Sequence, residues 1–425
     1  MAERRAVVRA TARRYQRGRK KQKQKILDEF VELTGYNRSY ARRVLRQHGR
    51  QAEGPGKGSS GKRRQSLSCK QYDERVLVAL RRIWLILDFI CGKRLVAIMP
   101  EVVRRLEYFG EFKCDARTRE KLLKISAATI DRLLSPERRK HQLRGRARTK
   151  PGTLLKHQIP LRTFSEWNEQ RPGFVEIDLV AHDGGLAAGE YLYTLDMTDV
   201  YSGWTEVQAV QNKAQVWVFA ALKELRAQLP FALQGIDSDN GSEFINDHLL
   251  EYCQHEGITF TRSRPYRKND NCFVEQKNYT IVRRHVGYQR LMGPEQLALV
   301  NELYGHLRLY ANYFQPVMKL KSKQRNGSQV KKTYHPARTP FQRLRDSQYL
   351  SRAGKQRLTR EYAQLNPAEL KRKIERIQTR LLKLAAHNCQ ERLHPRQVHG
   401  WTNHFLFAKS EPRHVGVRVD FQLRQ

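Results

Sequence analysis

Apolar residues recur at helical spacing near the N-terminus, at Ile26, Leu27, Phe30 and Val31 and again at Ala41, Val44 and Leu45, with Thr34-Gly35-Tyr36 between the two runs. The pattern predicts two short helices about a glycine turn, within a basic arm and helix-turn-helix unit over residues 1–50. Asn37 can cap the second helix, whose outer face carries Arg38, Arg42, Arg43 and Arg46. Such a face suits a helix laid in a DNA groove, and equally the solvated side of any helical hairpin. Residues 51–66 hold Gly, Ser and charge with nothing to build a core, which predicts a flexible linker. Helical periodicity returns over 67–140. Within it, residues 121–134 read as a second helix-turn-helix, with Ser126 as cap and Arg132 outward, so a second helical DNA-binding unit is expected; a connecting bundle would show the same pattern. Residues 141–171 form a basic, Pro- and Gly-containing linker, suited to a phosphate backbone or simply to solvent.

From Phe174 the pattern changes to β-branched, apolar runs. FVEIDLVAH, EYLYTLDMTDV and WTEVQAV predict three strands joined by short connections. A helix over 214–229, a strand ending at Asp239, a helix over 243–256, the strand ITFTRS and a helix over 270–286 follow. Three strands and then alternating helix and strand fit a mixed five-stranded sheet flanked by helices, over 172–290. Residues 291–425 read as a mostly helical, basic C-terminal region with a basic loop or short hairpin at KSKQRNGSQVKKTY. A long helix near 365–386 there could pack on its own domain or against another subunit. The fold class is α/β and multidomain, in keeping with 425 residues, which suffice for about two to four cores.

Charge narrows the partner. The chain holds 81 Lys plus Arg against 42 Asp plus Glu, a net of +39, and a surplus of that size points to a polyanion. Yet residues 173–286 hold 16 acidic and 10 basic side chains, an acidic island in a basic protein. A site that gathers divalent cations and then acts on phosphodiesters would have this composition. The six cysteines (Cys69, Cys91, Cys114, Cys253, Cys272, Cys389) lie far apart, in neither a zinc-site nor a disulfide pattern. No apolar run approaches the roughly 20 residues of a membrane span and no cleavable leader is evident, so a cytoplasmic protein is expected, bacterial and nucleoid-associated when on DNA.

Three carboxylates stand out by setting. Asp178 interrupts an apolar strand, where a bare charge is costly unless paired or metal-bound. Asp239 opens the turn Asp-Asn-Gly at a strand end, where open α/β sheets place ligand sites. Glu275 lies in the first turns of a helix that begins after Lys268-Asn269-Asp270-Asn271. Asp237 shares the sheet face of Asp239 but lacks the Asn-Gly turn; Asp196 and Asp199 read as structural turn carboxylates, and His182 as an ordinary hydrogen-bonded residue.

Asp178, the Asp239-Asn240-Gly241 turn, and Glu275 after 35 intervening residues resemble the D,D-35-E signature of retroviral integrases and bacterial insertion-sequence transposases. The resemblance covers roughly residues 172–290. It implies a ribonuclease-H-like core in which Asp178, Asp239 and Glu275 are catalytic and hold two Mg²⁺ ions, with Mn²⁺ as substitute, about 3.5 to 4 Å apart. It also implies double-stranded DNA as partner, both element ends and target, a homo-oligomer on DNA, and hydrolysis followed by strand transfer. Lys268, Lys277, Asn278, Arg283 and Arg284 are the candidate DNA contacts beside the glutamate. Relatives often carry a basic residue seven positions after it; here that position is Val282, and Arg283 falls about 80° round an α-helix from Glu275. The His-His-Cys-Cys zinc domain of retroviral integrases is missing. A DNA-binding regulator or a structure-selective nuclease of the same fold, without strand transfer, is the alternative.

Overall fold

A computed structural model describes residues 2–50, 72–140, 161–162, 171–239, 241, 243–244, 246–263, 271–326 and 329–390. They belong to two compact units that divide between Gln71 and Tyr72. The expected linker at 51–66, most of the one at 141–171, Lys268 and the tail from 391 lie outside the described residues.

Among the described residues the first unit holds three helices, α1 (Ala2–Arg17), α2 (Lys20–Thr34) and α3 (Arg38–Arg50). The expected basic arm is thus a helix. Val8, Ala12 and Tyr15 lie on one side of it and pack with Ile26, Leu27, Phe30, Ala41 and Leu45. Burying Leu27, Phe30 and Leu45 stabilises this small core by roughly 1.5–3 kcal/mol each. Gly35, at φ +66°, ends α2 in the left-handed conformation that glycine adopts without strain, and its N–H returns to the Val31 carbonyl. Asn37 Oδ1 accepts from Ser39 N at 2.9 Å and starts α3.

The second unit begins with α4 (Glu74–Ile86), α5 (Gly92–Tyr108), α6 (Ala116–Lys124), α7 (Ala127–Leu133) and α8 (Ser135–Lys140). Ser126 caps α7 as expected, accepting from Thr129 N. These helices are no unit of their own, because they share one hydrophobic core with the sheet and the C-terminal helices. Leu95, Ile98, Met99, Val102, Val103 and Leu106 give α5 an apolar face too broad for the short α6 and α7 to cover alone. Asp88, in a left-handed turn after α4, binds Lys371 Nζ at 2.9 Å and Arg284 Nε at 2.6 Å, so one buried carboxylate ties three regions of the chain together.

Among the described residues the sheet has six strands, in the order β1 (Leu161–Arg162), β6 (Thr259–Ser263), β5 (Gly235–Ser238), β2 (Phe174–Ala181), β3 (Tyr193–Asp199), β4 (Thr205–Val210). The five expected strands are present; the two-residue β1 extends the edge, parallel to β6. β2, β3 and β4 form an antiparallel meander, while β5 and β6 run parallel to β2. Two helices alternate with β5 and β6, α9 (Gln215–Gln228) and α10 (Asp247–His255), the latter starting later than expected because Asn246 caps it through Leu249 N. Then come α11 (Cys272–Lys277), a π-helical turn (Asn278–Arg283) and α12 (Arg284–Val286). A mixed sheet with helices on its faces is the ribonuclease-H-like arrangement.

After it, α13 (Gly293–Phe314) packs along α16 (Pro367–Gln390), whose Leu370, Ile374, Ile377 and Leu381 are buried within this unit. Between them lie the hairpin β7 (Leu320–Asn326) and β8 (Gln329–Tyr334), α14 (Pro340–Arg345) and α15 (Arg352–Gln364). No helix of the described residues is long and apolar enough to cross a membrane.

Candidate active site

Side chains alternate between faces along a strand, and residues paired in register share a face. Asp178 on β2 pairs with Asp196 on β3, and Glu176 on β2 pairs with Asp237 on β5, two residues before Asp239. Glu176, Asp178, Asp196 and Asp237 therefore lie on one face of three adjacent strands, and Asp239 follows one residue beyond the end of β5. Helix α11 packs against β2 and β3.

Each carboxylate is oriented by a few donors. Asp178 accepts from Leu179 N at 2.8 Å and from Asn278 Nδ2 at 2.6 Å. Asp239 accepts from Gly241 N at 2.8 Å; a Cβ on this glycine would crowd the Glu243 carboxyl at 2.6 Å and Asp239 Oδ1 at 2.9 Å, so a larger residue would have to displace one or both carboxylates. Asp237 accepts from Thr261 Oγ1 at 2.5 Å. The Asn271 amide, turned to satisfy its neighbours, donates to Asp237 Oδ2 at 3.0 Å and accepts from Asp239 N at 3.2 Å. Burial and the charge of Asp239 push the Asp178 carboxyl well above the usual carboxylate range. Burial likewise raises Asp239, with the charge of Glu243 adding to it against the Gly241 hydrogen bond.

Glu275 stands exposed on α11 one turn before Asn278, on the same helix face as the amide that reaches Asp178. Burial, and after it the charges of Asp237 and then Glu275, push the Glu176 carboxyl well above the usual range against the two backbone hydrogen bonds it accepts. Among the described residues no three His, Cys, Asp or Glu side chains converge as a ready-made metal-ligand set. The structure brings Asp178 and Asp239 together and holds Glu275 a helical turn away from the amide contact. The donor set nevertheless fits a hard cation: it is all carboxylate oxygen, two of its members repel, and Asp196 Oδ2 and Glu176 Oε1 are buried without hydrogen-bond partners.

Sequence reasoning overlooked the groups beneath the site. Glu176 Oε2 accepts from both Phe273 N and Val274 N at 2.8 Å, anchoring the start of α11 to β2. Asp196 is no turn residue but lies mid-strand opposite Asp178, and burial raises it to about 7. Its counter-charge is Lys277, which burial lowers to about 8 and which donates to the Gly203 carbonyl at 3.0 Å. Lys277, expected at a DNA surface, is thus inside the protein. A readable signal existed: acids at i and i+2 in both β2 and the end of β5. Asp199 does hold a turn, accepting from Gly173 N and Ser202 N, and His182 is hydrogen-bonded to Thr194.

Asn278 serves Asp178. Arg284 is also turned inward, to Asp88 and over the Phe89 ring. Arg283 is different. Residues in a π-helical turn advance by less than the α-helical angle, which rotates Arg283 back toward the face of Glu275. Its guanidinium donates to the Ala181 carbonyl at 2.8 Å and lies over Tyr288. Arg38, Arg42, Arg43 and Arg46 are exposed on α3, although Arg38 pairs with Asp28 and Arg43 stacks on Tyr40; Arg132 is exposed on α7.

Residues 168–268 match the family described as integrase core domain, a span that includes Asp178 and Asp239 and stops short of Glu275. The chain is also 43% identical over 343 residues to the uncharacterized protein y4rM of Sinorhizobium fredii (strain NBRC 101917 / NGR234), covering 81% of this chain and 95% of that one. The chain belongs to the integrase-core superfamily. Similar solved structures include the HTLV-2 integrase catalytic core domain in complex with magnesium (16% identity, 35% of this chain and 92% of that one, TM-score 0.27) and the BIV integrase catalytic core domain (16%, 40% and 91%, TM-score 0.26). Membership places this integrase-core protein among polynucleotidyl transferases, whose chemistry is done on nucleic-acid phosphodiesters.

Proposed function

We propose that the protein is a DNA transposase of bacterial insertion-sequence type. It binds element ends, hydrolyses them to free 3′-hydroxyls and joins these to target DNA. The observation that carries the reading is the cluster of carboxylates on one sheet face, with Asp178 and Asp239 adjacent and Glu275 on the helix above. Asp178, Asp239 and Glu275 would hold the divalent cations, Mg²⁺ by preference and Mn²⁺ as substitute. When bound, two such ions stabilise the attacking and leaving oxygens of an in-line displacement.

The protein's own residues supply position. Leu179 N and Asn278 fix Asp178, Gly241 N fixes Asp239, and Glu176 fixes the start of the helix that carries Glu275. Water attacks a phosphodiester at the element end and a 3′-hydroxyl leaves; that hydroxyl then attacks a target phosphodiester, expelling another 3′-oxygen. Neither step needs a covalent protein intermediate. The exposed arginines of α3 and Arg132 of α7 are the surfaces offered to element-end DNA, with Arg283 near the reacting strand. Pairing two ends calls for a homo-oligomer on DNA, in a bacterial cytoplasm.

The test is cleavage and strand transfer on duplexes carrying the gene's own flanking sequence, in Mg²⁺ or Mn²⁺, with wild type, Asp178→Asn and Glu275→Gln. Wild type should nick and join, and both variants should bind DNA but do neither. If all three bind and none cuts in either metal, a DNA-binding regulator is the better account; cutting without joining would make it a nuclease.

A further inference from the structure

The hairpin of β7 and β8 has no core to belong to. Residues 321–324 and 330–336 are exposed throughout, on both faces of the ribbon. An isolated two-stranded hairpin is at best marginally stable in water. Its register makes matters worse, setting Lys323 directly opposite Lys332, a like-charge pair that destabilises a ladder. Gln324 faces Lys331 and Ser322 faces Thr333, whose hydroxyls lie 2.5 Å apart. Among the described residues nothing relieves the charge. From Glu302 to Asp346 the sequence has no acidic residue, and Lys321, Lys323, Lys331 and Lys332 have no ion-pair partner among the described residues.

The base of the ribbon, by contrast, is firmly rooted. Val317 and Arg338 exchange backbone hydrogen bonds, Lys319 Nζ donates to the Tyr201 carbonyl at 2.7 Å, and Arg343 Nη2 donates to the Val317 carbonyl at 2.7 Å. A fixed base thus carries an exposed arm with lysines on both faces.

We propose that this ribbon is an arm that lies in the major groove of duplex DNA. The inference rests on DNA being the protein's substrate and adds a contact surface outside the helix-turn-helix units and the carboxylate site. A B-form major groove is wide enough for a two-stranded β-ribbon, and a phosphate strand runs along each wall. Lys323 and Lys332 on one face and Lys331 on the other meet that arrangement. An A-form RNA helix has a major groove too narrow to admit it. A protein partner would call for a contiguous apolar face; among the described side chains the ribbon's exposed apolar residues are Val330 and Tyr334, which lie on either side of Lys332 among Ser, Gln, Lys and Thr positions. Phosphates between Lys323 and Lys332 would also remove the repulsion that the free ribbon carries.

The experiment uses the full chain and a fluorescent duplex of random sequence, with binding followed by anisotropy over a salt series. One variant replaces Lys321, Lys323, Lys331 and Lys332 with Gln. A charge-matched control replaces Arg352, Lys355, Arg357 and Arg360 of α15 with Gln. Each phosphate contact contributes about 0.9 to the slope of log affinity against log salt, so the ribbon variant should lose about 2 to 4 in slope and the control less than about 1. Its thermal midpoint should be unchanged or higher, since the Lys323–Lys332 repulsion is gone. Equal losses in the two variants, or an unchanged ribbon slope while wild type binds, overturn the arm and leave DNA as substrate. Tighter binding of single-stranded RNA through the same lysines also overturns it. Failure of wild type to bind duplex at low salt sinks both the arm and the transposase reading.

Discussion

Removing the side chain of Glu176 should cripple the reaction, while Glu176→Gln should largely preserve it. One oxygen, Oε2, accepts from both Phe273 N and Val274 N at 2.8 Å, and the residue is wholly buried. Glu176→Ala leaves those two donors without their partner. An unmade buried hydrogen bond costs about 1–3 kcal/mol, so about 2–6 kcal/mol falls on the first turn of a short helix. The helix relieves that cost by moving toward water, and Glu275 moves with it. If the displacement is expressed fully in the transition state, the rate falls by about 30-fold to more than 10⁴-fold. A glutamine oxygen can accept both bonds in place of Oε2. Its amide nitrogen then takes the position of Oε1, which has no hydrogen-bond partner, in the field of Asp237. Initial rates of duplex nicking over a Mg²⁺ series decide the matter, with DNA affinity measured alongside. The Ala variant should need more Mg²⁺ for half-maximal rate and bind DNA as wild type does. An Ala variant with at least half the wild-type rate refutes the anchoring argument; a Gln variant as damaged as Ala shows that charge, not the paired hydrogen bonds, is what matters.

Asp178→Asn should abolish nicking and yet raise the thermal midpoint in EDTA, because it removes a carboxylate that Asp239 repels, and the Asn278 amide can turn to accept; a lower midpoint would contradict this. Asp88→Ala should cost about 3–5 kcal/mol in urea unfolding by stranding Lys371 and Arg284, whereas a loss below about 1 kcal/mol would mean that the buried junction is dispensable. His182, depressed by burial from 6.5 to about 3, is neutral in the folded protein but takes up a proton on unfolding below 6.5. Its contribution is therefore present above about 6.5 and lost as pH falls toward 3, at up to about 1.4 kcal/mol per pH unit. His182→Gln, which keeps a hydrogen bond to Thr194, should flatten the difference in stability between pH 6 and 4 relative to wild type; parallel curves would exclude the histidine as the cause.

Features governed by local forces were legible along the chain. Alternating β-branched runs marked β2 to β6, the Asp-Asn-Gly turn marked the end of β5, and Gly35, Asn37 and Ser126 marked helix ends, since each signal acts within a turn or a strand. The acid pair in β2 and the one at the end of β5 were equally visible, but which carboxylates meet depends on strand register, and register is set by pairing between segments far apart in the chain. Only the tertiary structure could show that Asp196 faces Asp178, or that Glu176 grips a helix almost a hundred residues later. The same holds for the cations. A helix carrying Lys277, Arg283 and Arg284 has basic residues all round, and nothing local says which side the sheet and Asp88 will cover. Packing buried Lys277, turned the half-buried Arg284 inward and left the lysines of β7 and β8 in water, because the first two found buried carboxylates and the ribbon had none within reach among the described residues.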